Sequence, residues 1–153
     1  MRNAIIAAVL GLALGLGSLA RAGELAVVDA WARATPPGAG VAAAYLTIDN
    51  AGGGADRLLG ASSDAAGRVE VHETRRDGEV MRMRKAEPLD IPAGERVVFG
   101  PGGLHVMLME LKEPLRQGET LSLTLRFEHA GEVPVQASIL AGDATDPHAG
   151  HHH

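Results

Sequence analysis

The chain has 153 residues, room for one domain, and its 46% hydrophobic and 22% charged side chains give the balance of a folded protein rather than a disordered one. A formal charge of −5 argues against a nucleic-acid binder and against a polybasic membrane surface. There is no cysteine, which removes disulfides, thiolate catalysis, Fe–S clusters, zinc fingers and any copper centre that needs a thiolate, leaving seven His and five Met as soft or borderline metal ligands.

At the N-terminus, Met1-Arg2, an apolar run from Ile5 to Leu19 and the small-x-small triplet Ala20-Arg21-Ala22 have the form of an export signal cleaved after Ala22. The run is about 15 residues, short of the roughly 20 needed to span a bilayer, and it carries helix-weakening glycines. Cleavage is therefore favoured over a retained anchor, and no stable membrane insertion is expected. Loss of Arg2 and Arg21 leaves 12 basic against 19 acidic residues, a mature charge of −7. The expected organisation is a signal peptide over 1–22, one domain over 23–141 and a flexible His-rich tail over 142–153.

Beyond the signal no segment sustains the i, i+3, i+4, i+7 apolar spacing of a helix. Short β-rich runs follow one another instead, at about 10-residue intervals. Strands are predicted at Leu25–Arg33, Val41–Asn50, Arg57–Ser62, Arg68–Arg75, Glu79–Lys85, Glu95–Gly100, Leu104–Leu111, Glu119–Glu128 and Glu132–Leu140. The punctuation between them is dense in Gly and Pro, as in Pro36-Pro37-Gly38, Gly52-Gly53-Gly54 and Pro101-Gly102-Gly103. Leu121, Leu123, Leu125 and Phe127 alternate with polar residues, the pattern of a strand with one wet face. Many short antiparallel strands in a chain of this size predict an all-β, Greek-key β-sandwich.

Asp77-Gly78 is a strong hairpin signal for a type I′ turn, which needs positive φ at both central positions. That turn predicts Thr74 opposite Met81 and His72 opposite Met83, with Cβ atoms about 5 Å apart. A second pair, His105 and Met107, lies two residues apart on one strand and so projects from one face. A lone His on a strand is more often a surface residue, and Met in a sandwich more often core filler. Two His-Met pairs in a domain with so few methionines weaken that alternative, whereas Met81 and Met109 remain in it. Two imidazoles and two thioethers with no carboxylate among them suit a soft, monovalent, tetrahedral ion, Cu(I) rather than Zn(II), Ca(II) or Mg(II).

His72, ten residues, Met83, twenty-one residues, His105, one residue and Met107 give H-x10-M-x21-H-x-M. This resembles the signature of the periplasmic copper chaperones called PCuAC. Ala30-Trp31-Ala32-Arg33 with Pro36-Pro37, Ala44-Tyr45-Leu46 with Ile48 and Asn50, and Pro101-Gly102-Gly103 also look like that family's stretches. The resemblance covers about Gly23 to Leu140. It implies a cupredoxin-like fold, a Cu(I) site at His72, Met83, His105 and Met107, and a carrier rather than an enzyme. It further implies copper supply toward cytochrome c oxidase, with a Sco-type protein or an oxidase subunit as acceptor.

In the tail, His148, His151, His152 and His153 follow Asp143 and Asp146, and clustered imidazoles suit Cu(II). A remnant of a purification tag is the alternative. Family members with His- or Met-rich extensions use them for Cu(II), so the resemblance favours a secondary Cu(II) site there. Three functions stay open at this level: a Cu(I) chaperone, a copper storage or resistance protein of the same fold, and a β-sandwich assembly module with an accidental His-Met spacing.

Overall fold

The computed structural model describes residues 25–147, which contain strands and turns and no helix. The signal segment and the four tail histidines lie outside these residues. Ten strands follow in order: β1 (Leu25–Arg33), β2 (Val41–Asn50), β3 (Asp56–Ser62), β4 (Ala66–Asp77), β5 (Val80–Lys85), β6 (Leu89–Ile91), β7 (Arg96–Val98), β8 (Leu104–Leu111), β9 (Thr120–Phe127) and β10 (Gly131–Leu140). Hydrogen bonding runs through all of them in the spatial order β5-β4-β8-β2-β1-β10-β9-β3-β6, with β7 also on β2. One buried apolar cluster draws on both ends of this path, from Val71 and Val106 to Leu58 and Ile91, so the sheet is rolled over a single core.

Alternation explains most of the wall. In β9 and β10, Leu121, Leu123 and Leu125 lie opposite Ala137, Val135 and Val133, all buried, while Ser122 and Gln136 pair on the wet face. Pro134 falls where β10 has a partner on one side only, since pairing with β1 is confined to Ser138–Leu140. A proline lacking its N–H is tolerated there. Two of the motif stretches prove structural: the Trp31 and Tyr45 rings lie 4.6 Å apart, with the Arg33 guanidinium 5.9 and 5.7 Å from them. Arg33 Nε also donates to the Ala144 carbonyl at 2.9 Å, which fastens the chain beyond β10.

β1, β2 and β8 keep the limits expected from the sequence, whereas β6 was not foreseen. It is three residues between Pro88 and Pro92, it owes its form to pairing with β3, and Ile91 is fully buried through it. Local periodicity carries no trace of so short a run.

The β4–β5 hairpin corrects a second expectation. Asp77 pairs with Val80, so the two-residue turn is Gly78-Glu79 rather than Asp77-Gly78. Gly78 has φ 68°, and Glu79 is not among the positive-φ residues, the II′ pattern with glycine first. The turn thus moves one residue along the chain and every pairing shifts by two. Thr74 faces Met83, Arg76 faces Met81 and His72 faces Lys85. His72 and Met83 become diagonal neighbours, not directly opposed ones. A shift of two keeps every side chain on its face.

Candidate metal centre

His72 and His105 are direct partners across the β4–β8 pair, and the next position on that face sets Glu70 opposite Met107. Partnered residues of an antiparallel pair share a face, so these four form one patch. On the far side of β4, the diagonal position on β5 adds Met83. The sheet thus carries Met83, His72, His105 and Met107 on a single surface, and it is the β4–β8 register that joins the two pairs expected from the sequence. The opposite face of β4 and β8 carries Val71, Val106 and Leu108, each fully buried. That packing fixes the backbone from which both histidines project.

The two rings lie 5.9 Å apart between centroids, at an interplanar angle of 60°. A metal bound about 2 Å from a ring nitrogen lies roughly 3 Å from the ring centre, so two rings can bracket one ion at about this separation. Each ring has one nitrogen engaged and one free. His105 Nδ1 is 3.1 Å from the Gly103 carbonyl, and His72 Nε2 is 2.7 Å from Glu70 Oε2. The remaining nitrogens, His72 Nδ1 and His105 Nε2, are buried and have no hydrogen-bond partner. Buried polar atoms in folded proteins nearly always have a partner. The two orphans belong to directly opposed residues on one face of the sheet.

The Pro101-Gly102-Gly103 turn, with Gly102 at φ 86°, supplies the Gly103 carbonyl. That oxygen also accepts the Thr74 N–H at 3.0 Å, so the β4 backbone and the His105 ring are fixed by one acceptor. His105 is only 6% exposed, and burial lowers its pKa. The Gly103 carbonyl opposes that effect and the neighbouring His72 adds to it. The ring is therefore held neutral, the state that binds metal.

Glu70 is the residue the sequence expectation missed, and it corrects the picture of a site with no carboxylate. The hydrogen bond with His72 holds its carboxyl below the usual value, against a desolvation penalty, and Lys85 and Arg68 add to the lowering. An ionised carboxylate only accepts, so the hydrogen on His72 Nε2 points to Glu70. The signal was present in the sequence, because Glu70 precedes His72 by the same i, i+2 step that pairs His105 with Met107.

Met109 and Met81 share the face but stand apart from this cluster. The Arg68 guanidinium lies 3.3 Å from the Met109 sulfur, and Met81 is 53% exposed opposite Arg76 near the hairpin tip. No group of three His, Cys, Asp or Glu among the described residues could hold a metal.

Comparison with known proteins shows the family to which this fold belongs. The family described as "Putative lipoprotein LpqE-like" matches residues 25–139. The chain is 39% identical over 114 residues to "Putative lipoprotein Lxx21020" of Leifsonia xyli subsp. xyli, covering 74% of this chain and 68% of that protein. It is 34% identical over 105 residues to "Uncharacterized protein RP573" of Rickettsia prowazekii, covering 66% of this chain and 58% of that protein. Among solved structures, the copper-bound PCuAC domain from PmoF2 superposes with a TM-score of 0.66 at 30% identity, covering 78% of this chain and 94% of that one. CuI-DR1885 from Deinococcus radiodurans superposes with a TM-score of 0.61 at 32% identity, covering 74% of this chain and 76% of that one. The shared architecture is the cupredoxin-like β fold. With the match spanning nearly all of the described domain, the chain belongs to the LpqE-like family, which is the PCuAC family.

Proposed function

We propose that this protein is a copper metallochaperone that carries Cu(I) between His72, His105, Met83 and Met107. The observation that carries the reading is the pair of buried, unpartnered nitrogens, His72 Nδ1 and His105 Nε2, on rings 5.9 Å apart. Two thioethers on the same face complete a neutral, soft ligand set, which suits Cu(I). The copper-bound PmoF2 domain and CuI-DR1885 support the choice of metal. Thioethers need no deprotonation and, unlike thiolates, do not pair into disulfides. Neutral ligands hold a monovalent ion without introducing opposing charge and can be exchanged one at a time.

The same reading places the mature protein in the periplasm, as a carrier and not an enzyme. Relatives named as lipoproteins agree with export. Its destination, on the PCuAC resemblance, is cytochrome c oxidase assembly, through a Sco-type protein or an oxidase subunit. The tail residues His148 and His151 to His153 form a looser Cu(II) site in this proposal. Deleting the residues after Gly142 is expected to remove Cu(II) binding and leave Cu(I) binding nearly unchanged.

The test is a competitive Cu(I) titration of the purified protein and its methionine variants. One tight Cu(I) per chain is expected, with strong weakening in Met83→Ala and Met107→Ala and little in Met81→Ala or Met109→Ala. Equal losses in all four variants would sink the ligand assignment. Transfer of the ion to an acceptor separates a carrier from a storage protein, and the half-exposed Met83 favours the carrier.

A further inference from the structure

We infer that Glu70 is a positioning residue of the copper site and that the two histidines bind through opposite ring nitrogens, His72 through Nδ1 and His105 through Nε2; this rests on the copper-site reading above. Glu70 and His72 stand two residues apart on β4, on one face, and Glu70 Oε2 lies 2.7 Å from His72 Nε2. The second carboxylate oxygen faces elsewhere, 3.8 Å from Arg68 Nε, so Oε2 is committed to the ring. Both side chains of the pair are largely covered, 16% and 21% exposed, which keeps water from replacing the contact.

The consequence follows from the chemistry of imidazole. A neutral ring has one N–H and one lone pair, and the partner of one nitrogen decides which atom is free for metal. On His72 the carboxylate accepts the Nε2 hydrogen and leaves the lone pair on Nδ1. On His105 the Gly103 carbonyl accepts the Nδ1 hydrogen and leaves the lone pair on Nε2. The two lone pairs left over belong to the two nitrogens that the structure buries without partners. A carboxylate behind a ligating histidine fixes its orientation and raises its basicity, and loss of such a group typically weakens metal binding ten- to hundredfold. The carbonyl behind His105 is fixed in the backbone, whereas the carboxylate behind His72 is a side chain that can be replaced. The site is therefore adjustable at Glu70.

Long-range proton–nitrogen NMR spectra of the imidazoles, recorded on the ¹⁵N-labelled protein before and after one equivalent of Cu(I), test the assignment. Copper is expected to shift Nδ1 of His72 while its Nε2 stays protonated, and Nε2 of His105 while its Nδ1 stays protonated. Coordination of His72 through Nε2, or of both rings through the same nitrogen, overturns this inference and leaves the copper site standing. A spectrum in which neither ring responds overturns the site itself. Glu70→Leu is expected to weaken Cu(I) binding ten- to hundredfold and to lose the protected His72 Nε2–H signal. Glu70→Gln, whose carbonyl still accepts from that N–H, is expected to lose less. Unchanged affinity in Glu70→Leu removes the positioning role.

Discussion

His72 and His105 stand on β4 and β8, paired strands in the interior of the sheet order, above the fully buried Val71, Val106 and Leu108. Met83 stands on β5, an outermost strand whose six residues are all exposed. One half of the site thus inherits the rigidity of the core, and the other half rests on an edge with water on both faces. Core residues are held by dense packing, while edge strands with few buried neighbours open locally at lower free energy. A carrier needs both properties. The nitrogens must wait in position for the ion, and at least one ligand must leave easily when an acceptor arrives.

The largest effect that separates the halves is on stability. Leu108→Ala, beneath the histidines, is expected to destabilise the fold by about 2–5 kcal/mol. Met83→Ala, at a side chain 52% exposed, should stay within about 0.5 kcal/mol. Chemical denaturation of the metal-free protein measures both, and comparable losses would erase the distinction between the halves. Copper affinity should invert this ranking for Met83. Its loss is expected to weaken Cu(I) binding at least about tenfold, or roughly 1.4 kcal/mol, without unfolding anything.

The next effect is a pH dependence confined to the histidine half. Burial lowers the His105 pKa, with the Gly103 carbonyl opposing and His72 reinforcing, so the folded chain takes up its proton at lower pH than the unfolded chain. The unfolded value is about 6.5, and the metal-free fold should therefore lose stability as pH falls from there toward the folded value. Cu(I) affinity should begin to fall below about pH 6 as protons compete for the imidazoles, but only in part, because the thioethers do not titrate. Affinity that stays flat from about pH 7.5 to 5 would show that the histidines are not ligands.

The smallest effect belongs to the hairpin surface. Arg82 and Asp77 form an ion pair at 3.1 Å with both side chains about 70% exposed. Arg82→Ala should cost about 0–1 kcal/mol and leave copper binding unchanged. A larger loss would mean that the edge strand is held more firmly than its exposure indicates.

What the sequence reveals of this molecule tracks the range of the interactions involved. Three strands have the expected limits because alternation is local, and spacing alone made legible two separate pairs, His72 with Met83 and His105 with Met107, each on one face of its strands. The register of the β4–β5 hairpin was not, since a dipeptide pattern leaves open whether Gly78 is the second central residue of a I′ turn or the first of a II′ turn. The face survived the error because the shift was an even number. That His72 lies directly opposite His105 depends on pairing between strands some thirty residues apart, which no local pattern specifies. Glu70 was in plain view two residues from His72, but a search for ligands passes over the groups that orient them.

The central claim is that one Cu(I) is held by two imidazole nitrogens and two thioether sulfurs drawn from both halves. X-ray absorption at the copper edge of the Cu(I)-loaded protein, compared with the Met83→Ala variant, tests it most directly. Two nitrogen and two sulfur scatterers are expected in the parent, and one sulfur fewer in the variant. A shell with no sulfur, or one unchanged by removal of Met83, would contradict the account.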